Sequence, residues 1–331
     1  MARGWVWTLR QHRWEEVINI SVGGTPSVTG AYRTAFTADL EPGDCVIWEY
    51  GVNDANYVTM NYDIEIFLRY IEHTVRACLD AGATFVPVMF QPRRHEEHPE
   101  RTPYVQALHD LFDHYGIPTF NLSEQYRTHL GVETLPPEFH LDPAHLALDP
   151  DMMSFIATRV GALIDLATPI EPAEPLHTGG RQLHFYAPPE TGRFKNSMFD
   201  LPVGTLPIRF DIGEGERIVA FMIVSTVFGG GVRSATRDQV FEFSATRETE
   251  IHGVKPDKVI DGPLFRLVCC EWSEASSWVA GTDDPLELTW IDTPGEYFAD
   301  IALRPQLDQA ELDGRGALLV GVMTEGPPPS S

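Results

Sequence analysis

Cys45-Val46-Ile47-Trp48-Glu49-Tyr50 runs directly into Gly51-Val52-Asn53-Asp54. The first stretch reads as a short buried strand. A strand ending in Gly-x-Asn-Asp carries an Asn side chain to the carboxyl end of a sheet, the edge where open α/β sheets bind ligands. An Asn amide there can donate a hydrogen bond to a developing oxyanion. Gly, Asn and Asp are also the ordinary residues of a turn, so the tetrad takes its meaning from its neighbours in the chain.

Those neighbours alternate strand and helix patterns. Glu16-Val17-Ile18-Asn19-Ile20 reads as a strand and Ser27 to about Ala38 as a helix. Asp63 to Ala81 carries apolar residues at Ile64, Ile66, Phe67, Tyr70, Ile71 and Val75, a helical spacing. Thr84 to Phe90 reads as a strand, with Pro87 as a weak point or bulge. Thr102 to Tyr115 is an amphipathic helix, Pro118 to Asn121 a short strand, and Met152 to Leu166 a helix capped by Asp149-Pro150. Strands alternating with helices at this spacing predict a parallel sheet covered on both faces.

The pattern changes at Thr168-Pro169-Ile170-Glu171-Pro172-Ala173-Glu174-Pro175, a stiff, extended connection. Beyond it lie short strands separated by Gly, Pro and Asp clusters: 182–186, 206–210, 217–227, 239–244, 265–270, 286–290 and 318–323. These predict an all-β, sandwich-like domain. The expected organisation is therefore an α/β domain over 1–167, a Pro-rich linker over 168–180, a β-sandwich over 181–325 and a disordered tail over 326–331.

Composition narrows the function classes. The chain of 331 residues holds 24 Lys plus Arg against 48 Asp plus Glu, a net charge of −24. Nucleic acid and anionic membrane surfaces both call for a basic face, so neither is an expected partner. No apolar run reaches the roughly 20 residues that span a bilayer. The four cysteines, Cys45, Cys78, Cys269 and Cys270, show no Cys-x-x-Cys or metal spacing. Cys45 and Cys78 fall in apolar patterns, and the usage fits a reducing, cytoplasmic compartment. No metal or organic cofactor is implied.

Two further segments carry chemistry. Val17-Ile18-Asn19-Ile20-Ser21-Val22-Gly23-Gly24-Thr25-Pro26-Ser27 turns from strand to helix through two glycines, and backbone N–H groups at such a turn point outward. His140-Leu141-Asp142-Pro143-Ala144-His145-Leu146 places an Asp three residues before a His. Asp142 can fix one ring nitrogen of His145 and leave the other as a base. Asp142 also reads as a helix N-cap with Pro143 in the first turn, and the two roles are compatible.

In order, Val-Ile-Asn-x-Ser-x-Gly-Gly, Gly-x-Asn-Asp after a strand, and Asp-x-x-His before the last helix resemble the SGNH (GDSL-type) hydrolases over roughly residues 4–167. The resemblance implies a flavodoxin-like parallel sheet. It implies that Gly24 N–H and the Asn53 amide form an oxyanion hole, that His145 is the general base, and that Asp142 orients it. Asp54 then braces the loop. The family's nucleophile, the Ser of a Gly-Asp-Ser at the end of the first strand, has no counterpart here. Gly43-Asp44-Cys45 opens the strand whose far end carries Asn53, roughly 20 Å from the site. Ser21 and Ser27 lie near the glycine turn, but the resemblance gives neither the nucleophile's role.

The missing family strand would lie between 16–20 and 45–50, which leaves buried strands facing unpaired backbone groups. The expectation is a start assigned too late or a truncated gene. In-frame sequence upstream of Met1 should then encode a strand ending in Gly-Asp-Ser, and it could also carry a signal peptide.

Arg93 and Arg94, in Gln91-Pro92-Arg93-Arg94-His95-Glu96-Glu97-His98, follow a strand on the same edge as Asn53 and could meet an acidic or sugar-like substrate. A solvated charged loop also fits them. His95 and His98 lack a third ligand for a metal, and His109 and His114 read as helix-surface residues. Trp272, Trp278 and Trp290 could stack on sugar rings or fill a sandwich core. The resemblance implies ester hydrolysis through an acyl-enzyme on an acylated carbohydrate or small ester. Acyl transfer to a glycan uses the same residues, and a silent binding or scaffolding protein is the alternative for a chain without the serine.

Overall fold

The computed structural model describes residues 4–12, 17–21, 25–96, 101–143, 145–195, 200–225, 230–237, 239–244, 264–269, 285–293, 297–298, 301–303 and 317–327. The described residues divide into two compact units, one within 4–179 and one within 180–327.

The first unit is built on a parallel sheet of three strands in the order β1-β2-β3. Its elements run α1 (Trp5–His12), α2 (Ser27–Phe36), β1 (Cys45–Trp48), α3 (Gly51–Thr59), α4 (Ile64–Ala81), β2 (Thr84–Met89), α5 (Arg93–Glu96), α6 (Pro103–His114), β3 (Phe120–Asn121), α7 (Leu122–Leu130) and α8 (Pro150–Leu166). The helices begin where the sequence supplies caps. Asp63 accepts from Glu65 N–H, Thr102 from Val105 N–H and Asp149 from Met152 N–H.

Alternation along β2 decides the layers. Val86, Val88 and Phe90 join Trp5, Leu9, Met152, Ile156 and Val160 in one apolar cluster, so α1 and α8 cover that face. Phe85 points the other way, its ring 5.9 Å from that of Phe112 on α6. Trp48 of β1 meets the same Phe112 ring at 5.9 Å. Pro87 is tolerated inside β2, where it stands opposite Trp48.

The expected strand over 16–20 does not form at residues 17–20, which have no regular structure; Ile18 is 73% exposed. The physical reason is a missing ladder partner: among the described residues β1 pairs with β2 alone. Side chains take over the segment's hydrogen bonds. Arg33 Nε donates to Ile20 O at 3.1 Å, and Asn19 Oδ1 accepts from both Ser21 N and Ser21 Oγ.

The Pro-rich stretch after α8 is fastened to the first unit. The buried Glu72 carboxylate accepts the backbone N–H groups of Leu176, His177 and Thr178 and the Tyr115 hydroxyl. Burial alone would raise this carboxyl, but the four donors outweigh it and hold it below the usual range.

The second unit is all β among its described residues. A five-stranded sheet contains Ile208–Phe210, Gly231–Ala235, Val240–Ser244, Leu286–Ile291 and Tyr297–Phe298. A seven-stranded sheet is centred on Arg217–Ser225 and Ala317–Gly326. Phe210, Val232, Phe243 and Leu288 of the first share an apolar cluster with Phe221, Ile223 and Val322 of the second. Gly326 ends a strand rather than beginning the tail, and 328–331 lie outside the described residues. Trp290 packs against the cluster with Nε1 donating to Asp292, while Trp272 and Trp278 lie outside the described residues. Cys269 closes the Leu264–Cys269 strand, and Cys270 is outside the described residues.

Candidate functional site

Gly51-Val52-Asn53-Asp54 is not a turn but the first turn of α3. Its residues are poor helix formers, and two bonds to the start of α2 hold them. Asn53 Nδ2 donates to Thr25 O at 2.9 Å, and Asp54 Oδ1 accepts from Ser27 N–H at 2.8 Å. Ser27 Oγ also donates to Asp54, as does the Tyr104 hydroxyl at 2.8 Å. Asp54 therefore serves α2 as a cap supplied from another element. It is fully buried. Burial pushes its carboxyl up to about 7, against the pull of its Ser27 and Tyr104 hydrogen bonds. Gly30 of α2 lets the two elements approach: a Cβ there would lie 2.8 Å from the Tyr50 ring.

The Asn53 amide has two N–H groups. One donates to Thr25 O, and no acceptor for the second is found among the described residues. Gly24, the expected second donor, lies outside the described residues.

Residues 140–143 and 145–146 do not start a helix. Leu141 N bonds His145 O, Ala147 N bonds Phe139 O, and His140 and Leu146 form a β-bridge, so the segment is a small hairpin-like loop. The cap-like bond survives without the helix: Asp142 Oδ1 accepts from His145 N–H at 2.8 Å. Asp142 Oδ2 lies 2.8 Å from His145 Nδ1. That pair fixes Nδ1–H toward the carboxylate and leaves Nε2 as the basic nitrogen. The His145 side chain is 75% exposed, so a substrate can reach it.

The segment after β2 joins the two sides. Arg93 N–H donates to Pro143 O at 3.0 Å, tying α5 to the Asp142–His145 loop. Arg94 Nη2 donates to Asn56 Oδ1 at 3.0 Å and Thr59 Oγ1 at 2.6 Å, tying α5 to α3. The far end of α5 is anchored by Glu96, buried with Arg127 at 2.9 Å and bonded by Ser123 Oγ. Hydrogen bonds thus run from α3 through α5 to the loop that carries Asp142 and His145. The two arginines differ. Arg94 is a structural tie, whereas Arg93 is exposed and its guanidinium makes no side-chain hydrogen bond among the described residues.

The candidate hydroxyls near the edge are committed. Ser27 Oγ is buried against Asp54, and Ser21 Oγ bonds Asn19. Cys45 begins β1, at the opposite end of the strand from Asn53, and burial pushes its thiol up. His109, expected on a helix surface, is buried beside Asn121 at 3.4 Å. Among the described residues no group of three or more His, Cys, Asp or Glu is placed to hold a metal, and no helix is long and apolar enough to cross a membrane.

The sequence did not single out Gln91, Tyr104 or His140 as site residues. Gln91 and His140 stood inside the quoted segments, but their burial is a tertiary property that no local pattern reveals. No family model, curated protein or solved structure matches the chain.

Proposed function

We propose that the first unit carries the base-and-oxyanion part of an SGNH-type ester hydrolase acting on an acylated carbohydrate or another small ester. The observation that carries this reading is the Asp142–His145 pair, with its imidazole exposed, on a loop that hydrogen bonds link through α5 to α3, the helix of Asn53. His145 Nε2 takes a proton from an attacking hydroxyl as that oxygen adds to the ester carbonyl. Asn53 donates to the oxyanion that forms. The imidazolium then returns the proton to the leaving alcohol as the C–O bond breaks. Asp142 holds the imidazole in the required tautomer and stabilises its charged form.

The family's attacking hydroxyl belongs to a Gly-Asp-Ser that this sequence does not contain. Hydroxyls buried against carboxylates, such as Ser27 Oγ, do not replace it. The chain as given is therefore expected to show little turnover, limited to what a base and an oxyanion donor achieve with water. The same observation favours a second reading, a binding protein that keeps the fold without the chemistry. Acyl transfer to a glycan would use the same residues with a sugar hydroxyl in place of water.

The test uses the chain extended by its in-frame upstream coding sequence. Fluorophosphonate labelling is expected, with p-nitrophenyl acetate turnover that falls about hundredfold or more in His145→Ala. Absence of labelling together with turnover indifferent to His145 would remove the hydrolase reading. A stop codon directly upstream of Met1 would favour the binding protein.

A further inference from the structure

Pro169, Pro172 and Pro175 give residues 168–175 the composition of a linker, yet the chain from 170 to 178 is fastened to the first unit. Ile170 is buried. His114 Nε2 donates to Glu174 O at 2.7 Å, and Arg76 Nη1 reaches Ala173 O at 3.4 Å. Glu72 then accepts from three successive N–H groups, those of Leu176 at 2.7 Å, His177 at 2.8 Å and Thr178 at 2.6 Å. His177 Nδ1 lies 2.8 Å from Glu65 Oε2, and Thr178 is buried. Attachment to the second unit starts at Arg181. Its guanidinium donates to Gly215 O and Glu325 O, both at 2.8 Å, and Gln182 opens a strand in register with Gly326. Between Thr178 and Arg181 stand only Gly179 and Gly180. Both have left-handed φ, 59° and 78°, and the boundary of the compact units falls between them. A Cβ on either would meet nothing within 4 Å.

We infer that Glu72 makes the Pro-rich stretch a rigid strap on the first unit, and that the connection between the units turns at Gly179-Gly180 alone. A stiff proline spacer held at neither end would have a pivot at each end. The bonds to Glu72 and His114 remove the pivot on the side of α8 and carry the fixed chain to Thr178. Turning anywhere in 176–178 would pull N–H donors away from a carboxylate, and hydrogen bonds to a charged acceptor are the costly ones to lose. The two glycines carry no such bonds to Glu72 and no side chain. They adopt positive and negative φ almost equally readily, so a change of direction there meets little resistance. Two residues are enough, because a hinge concentrates its φ/ψ change in a few positions. Glu72 thereby sets where the chain bends, although it lies more than a hundred residues before the bend.

The inference stands whether or not the first unit is an esterase, and its test needs no substrate. Backbone 15N relaxation and residual dipolar couplings are measured on the full chain. Leu176, His177 and Thr178 should be as ordered as α4, with order parameters of about 0.85, and values should drop below about 0.6 at Gly179 and Gly180. The couplings of the two units should each fit a single alignment tensor of their own, and the two tensors should differ in magnitude. Glu72→Gln should then speed amide exchange at 176–178 about tenfold or more while β2 amides stay slow, because the strap opens locally and the fold does not. Gly179→Ala combined with Gly180→Ala has room for both methyl groups but disfavours both left-handed conformations. It should change the orientation of one tensor relative to the other and leave the fit within each unit as it was. Low order parameters throughout 173–178 in the unaltered protein would overturn the strap and restore the Pro-rich linker. One tensor that fits both units would overturn the hinge, as would a double-alanine chain with an unchanged relative orientation. Unchanged exchange at 176–178 in Glu72→Gln would remove Glu72 as the fastener. The measurements on the unaltered chain decide the strap and the hinge even if a variant fails to fold.

Discussion

Two aspartates flank the candidate site, and their surroundings are opposite. Asp54 is fully buried, accepts from Ser27 and Tyr104, and stitches α3 to α2. Asp142 has a side chain 43% exposed and holds an imidazole that is 75% exposed. The Asn53–Asp54 side is thus fixed by a buried polar network, and the His145 side by a short loop whose imidazole meets solvent. The difference teaches which acid governs which property. Removing a buried acceptor strands its donors inside the protein, while changing an exposed acid leaves the packing alone and alters the histidine it orients.

The largest effect is expected at Asp54. Asp54→Ala leaves Ser27 N–H, Ser27 Oγ and the Tyr104 hydroxyl without their acceptor in a site closed to water. A loss of about 3–5 kcal/mol in unfolding free energy should follow, measured by urea denaturation. A loss below about 1 kcal/mol would mean that the network relaxes and that the contrast with Asp142 is empty.

Asp142→Asn should show the reverse pattern. Because the pair is exposed, stability should move by less than about 0.5 kcal/mol. In the upstream-extended chain, kcat for p-nitrophenyl acetate should fall about hundredfold, since the amide can hold His145 in the wrong tautomer. Equal loss of stability and activity would show that Asp142 is a brace like Asp54.

A smaller effect separates two carboxylates that are both buried. Asp54 is raised from its ordinary 3.8 to about 7 because burial outweighs its hydrogen bonds. Between those values the folded form keeps a proton that the unfolded chain has lost. Stability from Asp54 is thus fully present below about 4 and falls as pH rises toward 7, by up to about 1.4 kcal/mol per pH unit. Glu72 is shifted the other way by Tyr115 and three backbone N–H groups, so its contribution is present above its ordinary 4.5 and is lost as pH falls through its lower folded value. Asp54→Asn should flatten the decline between pH 4 and 7, and Glu72→Gln should cost about 1–3 kcal/mol near pH 7 with the gap closing in acid. Denaturation curves across pH measure both slopes. The same slope in both variants would sink the assignment.

How much of this was legible in the sequence depends on whether the deciding contact is local. The helices over 64–81, 103–114 and 150–166 carry their own caps at Asp63, Thr102 and Asp149, and the sequence reveals them. The helix over 122–130 carries the same kind of local signal, with Asn121 accepting from Glu124 N–H. The helix at Gly51–Thr59 could not be read locally, because its weak first turn is held by Thr25 and Ser27, more than twenty residues away. At 140–146 the Asp142 bond to His145 N–H is the cap the sequence announces, yet the backbone turns back through Leu141 and His145 instead of continuing as a helix. Asp142 and His145 were legible as a pair because their bond spans three residues. The burial of His140 and Gln91 was not, since burial is set by packing between distant segments.

The smallest effect tests the tie between the two halves of the contrast. Arg94 is exposed, so its bonds to Asn56 and Thr59 compete with water and are worth about 0.5–1 kcal/mol at most. Their consequence is positional, since α5 also holds the His145 loop through Arg93 N–H and Pro143 O. Arg94→Met should therefore barely change the urea midpoint while speeding amide exchange at Arg93 several-fold, as that backbone bond opens more often. Glu96, buried with Arg127 at the other end of α5, limits the change by keeping the helix in place. Exchange at Arg93 that stays as slow as in the unaltered protein would show that Glu96 alone positions α5, and that the buried and exposed sides of the site are set independently.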